Sequence, residues 1–200
     1  MDIENRILGI GASPRKGGNT DLLLKAVLAG AGEKELATEE LQLRNYHYLP
    51  CTGCEKCRVT SECSESYDGM QLIYPKVVAA RGLVLASPTH NFNVTAWMKA
   101  FIDRLYCYYQ FDNKRPRGYK SLLAGQGRKM ALIAVGEQAD YKEAIGLTLD
   151  AMRIPFEYLG YELVGTLPVT GVFDRGAVSK NPELLSKARG LGVALAQALT

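Results

Sequence analysis

Short apolar runs alternate with longer amphipathic ones along almost the whole chain. Residues 6–12, RILGIGA, are apolar and end in a glycine-rich turn, the pattern of a buried strand. Residues 20–32, TDLLLKAVLAGAG, have helical composition and periodicity and are entered through Gly17, Gly18 and Asn19. Residues 40–43 alternate polar and apolar and predict a second strand, and 83–86, 130–135 and 161–169 predict three more. Helices are predicted over 68–80, 94–105, 141–152 and 182–199. In the second of these Trp97, Phe101 and Leu105 recur at every fourth position, with Met98 and Ile102 beside them. Pro75 weakens the first, because proline removes a helical hydrogen bond.

Five strands alternating with five helices predict an α/β domain spanning residues 1–200, a three-layer sandwich whose five-stranded parallel sheet is covered on both faces. The handedness of crossovers leaves few topologies, and the flavodoxin-like order 2-1-3-4-5 is one of the two common ones. Residues 106–128 are longer than a usual connection, which marks an excursion for function or assembly. Its aromatic side chains, Tyr106, Tyr108, Tyr109 and Phe111, suit either ordinary core or a subunit interface.

Composition excludes more than it assigns. The 200 residues are 47% hydrophobic and 22% charged, an ordinary globular balance. Net charge is +3 from 24 basic and 21 acidic residues, and the basic ones form no run, so charge gives nucleic-acid binding no support. No stretch approaches the roughly 20 apolar residues of a membrane span. Two acids precede the first apolar run, which is wrong for a secretory signal. A cytoplasmic protein is expected, in a compartment where thiols stay reduced.

In such a sheet ligands bind beyond the carboxyl ends of the strands, at the switch point. The first loop there, GASPRKGGNTD, fails the Walker spacing, since Lys16 stands where the second glycine belongs. It also fails the dinucleotide fingerprint, where Pro14 replaces the third glycine. What remains suits a phosphate monoester: hydroxyls from Ser13 and Thr20, an amide from Asn19, the forked charge of Arg15, and backbone N–H groups freed by Gly18. The opening of the following helix adds unpaired donors and the positive end of a dipole. A capped surface turn, with Asn19 or Thr20 as N-cap, is the structural alternative. After the third strand, Pro88, Thr89, His90, Asn91, Phe92 and Asn93 form a polar and aromatic loop facing the same edge, able to line the rim and face of a planar ring. Gly136 ends the fourth strand and completes the pocket.

Between the second strand and the next helix stands CTGCEKCRVTSEC, four of the five cysteines in a C-x₂-C-x₂-C-x₅-C spacing. The residues alone leave an iron–sulfur cluster, a zinc site and a set of free thiols open; the compartment disfavours disulfides. The fifth, Cys107, reads as a packed thiol.

S-P-R-x-G-G-N-T after strand one and S-P-T-H-N-F-N-V-T-A-x-M-K-x-F-I-D-R after strand three resemble the FMN-binding segments of the NADPH-dependent FMN reductase family. With the cysteine run, the chain resembles the iron–sulfur flavoproteins of that family over most of residues 6–165. The resemblance implies a flavodoxin-like fold and FMN, with its phosphate on Ser13, Arg15, Asn19 and Thr20 and its ring against 88–93. Relatives often carry an aromatic and a glycine where this chain has His90 and Asn93. The resemblance also implies a [4Fe–4S] cluster on Cys51, Cys54, Cys57 and Cys63. Bacterial ferredoxins use C-x₂-C-x₂-C-x₃-C-P, whose last cysteine serves another cluster; here the fourth comes later and Ser64 replaces the proline, so the set can close on one cluster.

An electron-transfer oxidoreductase follows, a homodimer or homotetramer passing electrons from a donor such as a ferredoxin to oxygen, peroxide or quinone-type acceptors. The alternative is an NAD(P)H-dependent FMN or quinone reductase without a functional cluster. A third possibility is a non-enzymatic redox sensor. No residue is assigned as catalytic acid or base. Both centres are expected on one rim of the sheet.

Overall fold

The computed structural model describes residues 3–200. Strands β1 (Glu4–Gly11) and β2 (Ala37–Gln42) flank helix α1 (Asn19–Gly32). The cysteine segment carries one helical turn, α2 (Cys57–Thr60), and leads into α3 (Met70–Ala79) and β3 (Ala80–Pro88). Helix α4 (Ala96–Arg104) and a 3₁₀ turn (Leu105–Tyr108) precede a hairpin, β4 (Tyr109–Phe111) and β5 (Tyr119–Ser121). Then come β6 (Lys129–Val135), α5 (Tyr141–Ala144), α6 (Thr148–Leu159), β7 (Glu162–Val169) and α7 (Pro182–Gln197). The main sheet has five strands in the order β2-β1-β3-β6-β7, paired in parallel throughout. With the hairpin set aside, this is the expected order 2-1-3-4-5.

Period-two alternation sorts each central strand between two cores. Met130, Leu132 and Ala134 face a cluster under α3, α4 and α6 with Met70, Phe101 and Phe156. Ala131, Ile133 and Val135 face the opposite cluster under α1 and α7, with Leu23, Val27 and Leu195. Helices α1 and α7 touch through glycines: a Cβ on Gly192 would lie 1.9 Å from the Val27 carbonyl oxygen, so no larger residue fits.

One expectation needs correction, and two gain detail. The helix predicted over 141–152 is two: Asp140 caps α5 through the Glu143 N–H, Gly146 turns left-handed at φ 49°, and α6 begins afresh at Thr148 and runs on to Leu159. The excursion 106–128 is partly ordered as an antiparallel hairpin, too short to show periodicity. The helix predicted over 68–80 forms as α3, with Pro75 in its interior at the loss of one internal hydrogen bond. Among the described residues, no helix is long and apolar enough to cross a membrane.

Candidate functional site

Two cavities collect the predicted site residues, one at each end of α4. The first lies beyond the carboxyl ends of β1, β3, β6 and β7. It is lined by the predicted Ser13, Arg15, Gly18, Asn19, Thr20, Pro88, Thr89, His90 and Gly136, and by Glu137, Val172, Phe173 and Arg175. Its floor is built from backbone. Gly17 sits at φ 68°, Gly18 N–H donates to the Arg15 carbonyl at 3.0 Å, and Arg15 N–H donates to Ser13 Oγ at 3.2 Å. Neither Asn19 nor Thr20 caps α1; no side chain does, so first-turn donors stay available to an anion.

The loop is held by residues with no place in the sequence reading. Arg44 donates to Asp21 Oδ1 and Oδ2 at 3.0 and 2.8 Å, and to the Ser13 carbonyl at 2.9 Å. Asp21 in turn accepts the Gly17 N–H at 2.8 Å. Asn19 spends its amide on the segment after β7, donating to the Asp174 carbonyl at 2.9 Å and accepting from the Val178 N–H. Arg15 donates to the Phe173 carbonyl at 3.1 Å, its guanidinium 4.6 Å from the ring centroid. The rule that ligands bind beyond every carboxyl strand end would have flagged 172–175.

Residues 91–93 do not line this cavity. His90 and Asn93 exchange backbone bonds at 2.8 and 3.1 Å around Asn91 and Phe92, both left-handed at φ 48° and 64°, the geometry of a type I′ turn. The position that suits glycine is therefore Phe92, not Asn93. Phe92 is 60% exposed, and its carbonyl accepts the Leu147 N–H.

Thr95 joins this cavity to α4. It caps the helix through the Met98 N–H, and its hydroxyl donates to the Ala12 carbonyl at 3.0 Å, beside the first loop.

The second cavity is lined by Cys51, Cys54, Cys57 and Cys63 together with Asp103, Arg104, Tyr106 and Cys107. Left-handed Gly53 and Glu55, at φ 69° and 57°, curl the loop between the first three cysteines, and the Gly53 N–H donates to Cys51 Sγ at 3.4 Å. No disulfide forms. Burial pushes the Cys57 thiol up, and so do the neighbouring sulfurs of Cys63, Cys51 and Cys54. Burial, then Cys57 and Cys63, push Cys107 up to about 12. Among the described residues, no group of three or more His, Cys, Asp or Glu is arranged to hold a single metal ion.

Both ends of the cysteine segment are clamped by Arg104, which is 2% exposed. It donates to the Leu49 carbonyl at 2.9 Å, to the Ser66 carbonyl at 3.2 Å, and to Asp68 Oδ2 and Oδ1 at 2.7 and 3.2 Å. Burial raises the Asp68 carboxyl, but Arg104 and the Leu49 and Met70 N–H groups outweigh it and hold the pKa below its ordinary value. Burial likewise opposes the Arg104 charge, and Asp68 and Tyr74 outweigh that and raise its pKa.

The clamp also overturns the expectation of a shared rim. After β2 the chain runs down α4, with the Tyr48 hydroxyl on the Trp97 carbonyl and Leu49 on Arg104. Nine residues of helix, about 14 Å at 1.5 Å per residue, separate the ends on which the two cavities rest.

A parallel sheet in this order, with a phosphate-ready loop at its switch point, defines a flavodoxin-like protein. The chain belongs to the NADPH-dependent FMN reductase family, whose pattern matches residues 5–145. It is 37% identical over 99 residues to an iron-sulfur flavoprotein from Methanosarcina thermophila, covering 50% of this chain and 51% of that one. An iron-sulfur flavoprotein from Archaeoglobus fulgidus is 31% identical over 197 residues, 96% of this chain and 80% of the relative. The first relatives are thus matched over only about half their length. A solved NAD(P)H:quinone oxidoreductase from Methanothermobacter marburgensis has a TM-score of 0.69 at 17% identity, covering 96% of this chain and 98% of its own, a likeness of fold.

Proposed function

We propose that the chain is an FMN-dependent oxidoreductase that also carries one [4Fe–4S] cluster, and that it passes electrons from a protein donor of ferredoxin type to small acceptors. One observation carries the reading: all four cysteines of the motif line one cavity, apart from a second cavity that offers an anion loop. FMN supplies exchange of one or two electrons, and a cluster supplies single-electron transfer. The residues of the first cavity bind and orient: loop 13–20 takes the phosphate, and Pro88, Thr89, His90 and Gly136 bound the ring, with 91–93 as the turn behind it. Those of the second, Cys51, Cys54, Cys57 and Cys63, ligate, with the Gly53 N–H donating to one sulfur. Arg104 holds the loop, and α4 sets the spacing an electron must cross within one chain.

The reading extends to the rest of the molecule. The chain is one domain, cytoplasmic, and assembles as a dimer or tetramer through the aromatic surface of the hairpin, where Tyr109, Phe111, Tyr119 and Tyr158 stack edge to edge. Anaerobic purification tests the core claim. FMN near one per chain, with iron and sulfide in equal amounts that vanish in a Cys57→Ser variant, is the expected result. One zinc per chain and no sulfide would end it.

A second reading has its own support. The family match and the fold support a plain NAD(P)H-dependent FMN or quinone reductase without a functional cluster. Brisk NADPH consumption without an added protein donor would favour it.

A further inference from the structure

We propose that Arg175, on the segment after β7, supplies a guanidinium to the flavin phosphate from beside the left-handed turn of the glycine loop. This rests on the FMN reading above and adds a ligand outside the loop that reading uses.

Three observations carry it. Arg175 lines the same cavity as Ser13, Arg15 and Thr20. Its Nη2 comes within 3.5 Å of where a Gly17 Cβ would stand, so the guanidinium lies against the left-handed turn of the anion loop. And its segment is fastened to that loop at two points: Asn19 bridges Asp174 and Val178, and Arg15 grips Phe173 by carbonyl and ring.

The charge pattern gives the fastening a purpose. Arg44 is spent on Asp21, and Arg15 is turned toward Phe173. A phosphate dianion in the loop meets N–H and O–H donors but needs balancing charge, and Arg175 is a cation placed to supply it. A guanidinium matches phosphate with two parallel bonds and stays charged at every working pH. The neutral ribityl and ring portions of the ligand gain nothing from it. Arg175 is therefore a determinant of FMN over riboflavin.

The test is titration of the full chain, freed of flavin, with FMN and with riboflavin, following quenching of flavin fluorescence. Arg175→Gln is expected to weaken FMN about ten- to a hundredfold and leave riboflavin unchanged, with Arg175→Lys between. Equal weakening of both ligands would reduce Arg175 to a loop support and overturn the proposal, as would unchanged FMN affinity. If the wild-type chain takes riboflavin as tightly as FMN, the phosphate reading of the loop itself is lost, an outcome separate from any effect of the substitution.

Discussion

The two cavities are built on opposite plans. The anion cavity is assembled at strand ends, where the parallel sheet brings β1, β3, β6 and β7 to one edge and backbone supplies most of the donors. The cysteine cavity is an irregular loop with a single helical turn, and its shape depends on side chains from elsewhere: Arg104 of α4, Asp68, and the hairpin through the Arg117–Glu55 pair. A site made by topology weakens by degrees when one side chain is lost; a site made by a clamp fails with it.

The largest effect expected from this contrast is at the clamp. Asp68→Ala leaves the Arg104 guanidinium buried and uncompensated, which costs about 3–5 kcal/mol, read as a shift in the urea midpoint. Iron and sulfide should fall with it while FMN per chain holds. Asp68→Asn keeps the shape and gives a pH test. The wild-type carboxyl has its pKa lowered in the fold, so its contribution is present above the unfolded value near pH 4 (about 3.9) and is lost as pH falls through the folded value. The stability gap between wild type and Asp68→Asn should thus narrow below about pH 4. A gap that does not change with pH would show that the carboxylate charge plays no part.

Next is the same operation on the other cavity. Asp21→Ala removes the partner of Arg44, whose side chain is 13% exposed, and frees the Gly17 N–H. The expected loss is about 2–3 kcal/mol, with FMN affinity reduced and iron content untouched. Loss of iron as well would mean the two sites are coupled through α4 and are less independent than their plans imply.

Smaller again is the tie between hairpin and cysteine loop. Glu55 accepts from Arg117 and Arg58, each at 3.0 Å, in solvent. Glu55→Gln should leave the urea midpoint where it is and speed iron loss to a chelator, because an exposed ion pair adds little stability while the hairpin it holds screens the loop. An unchanged rate would assign the hairpin wholly to assembly.

The same contrast explains what was legible in the sequence. Strand and helix periods record burial, so Ile133 against Leu132 on opposite faces of β6 was legible, and with it the sheet, its order and the loops at its edge. The gathering of four cysteines was legible from their spacing, and they line one cavity. The supports were not. Arg104 closes the FIDR motif and reads as the polar end of an amphipathic helix; nothing local says that its head is buried against Leu49 and Ser66, more than thirty residues back in the chain. The position of the second cavity failed for the same reason, since a strand predicts the edge where a loop starts and not how far it travels.

Phe92 gives the finest test of how the anion cavity is made. At φ 64° a residue with a Cβ carries strain of about 1–2 kcal/mol, which asparagine relieves by local hydrogen bonding. The ring is 60% exposed, so little burial is lost on its removal. Phe92→Asn should therefore stabilise the chain by roughly 0.5–1 kcal/mol. If backbone alone shapes the turn, FMN affinity stays level, because His90 and Asn93 still exchange their bonds. A stabilised variant that binds flavin more weakly would instead show that the exposed ring contacts the ligand, and the cavity at the strand ends would depend on a side chain after all.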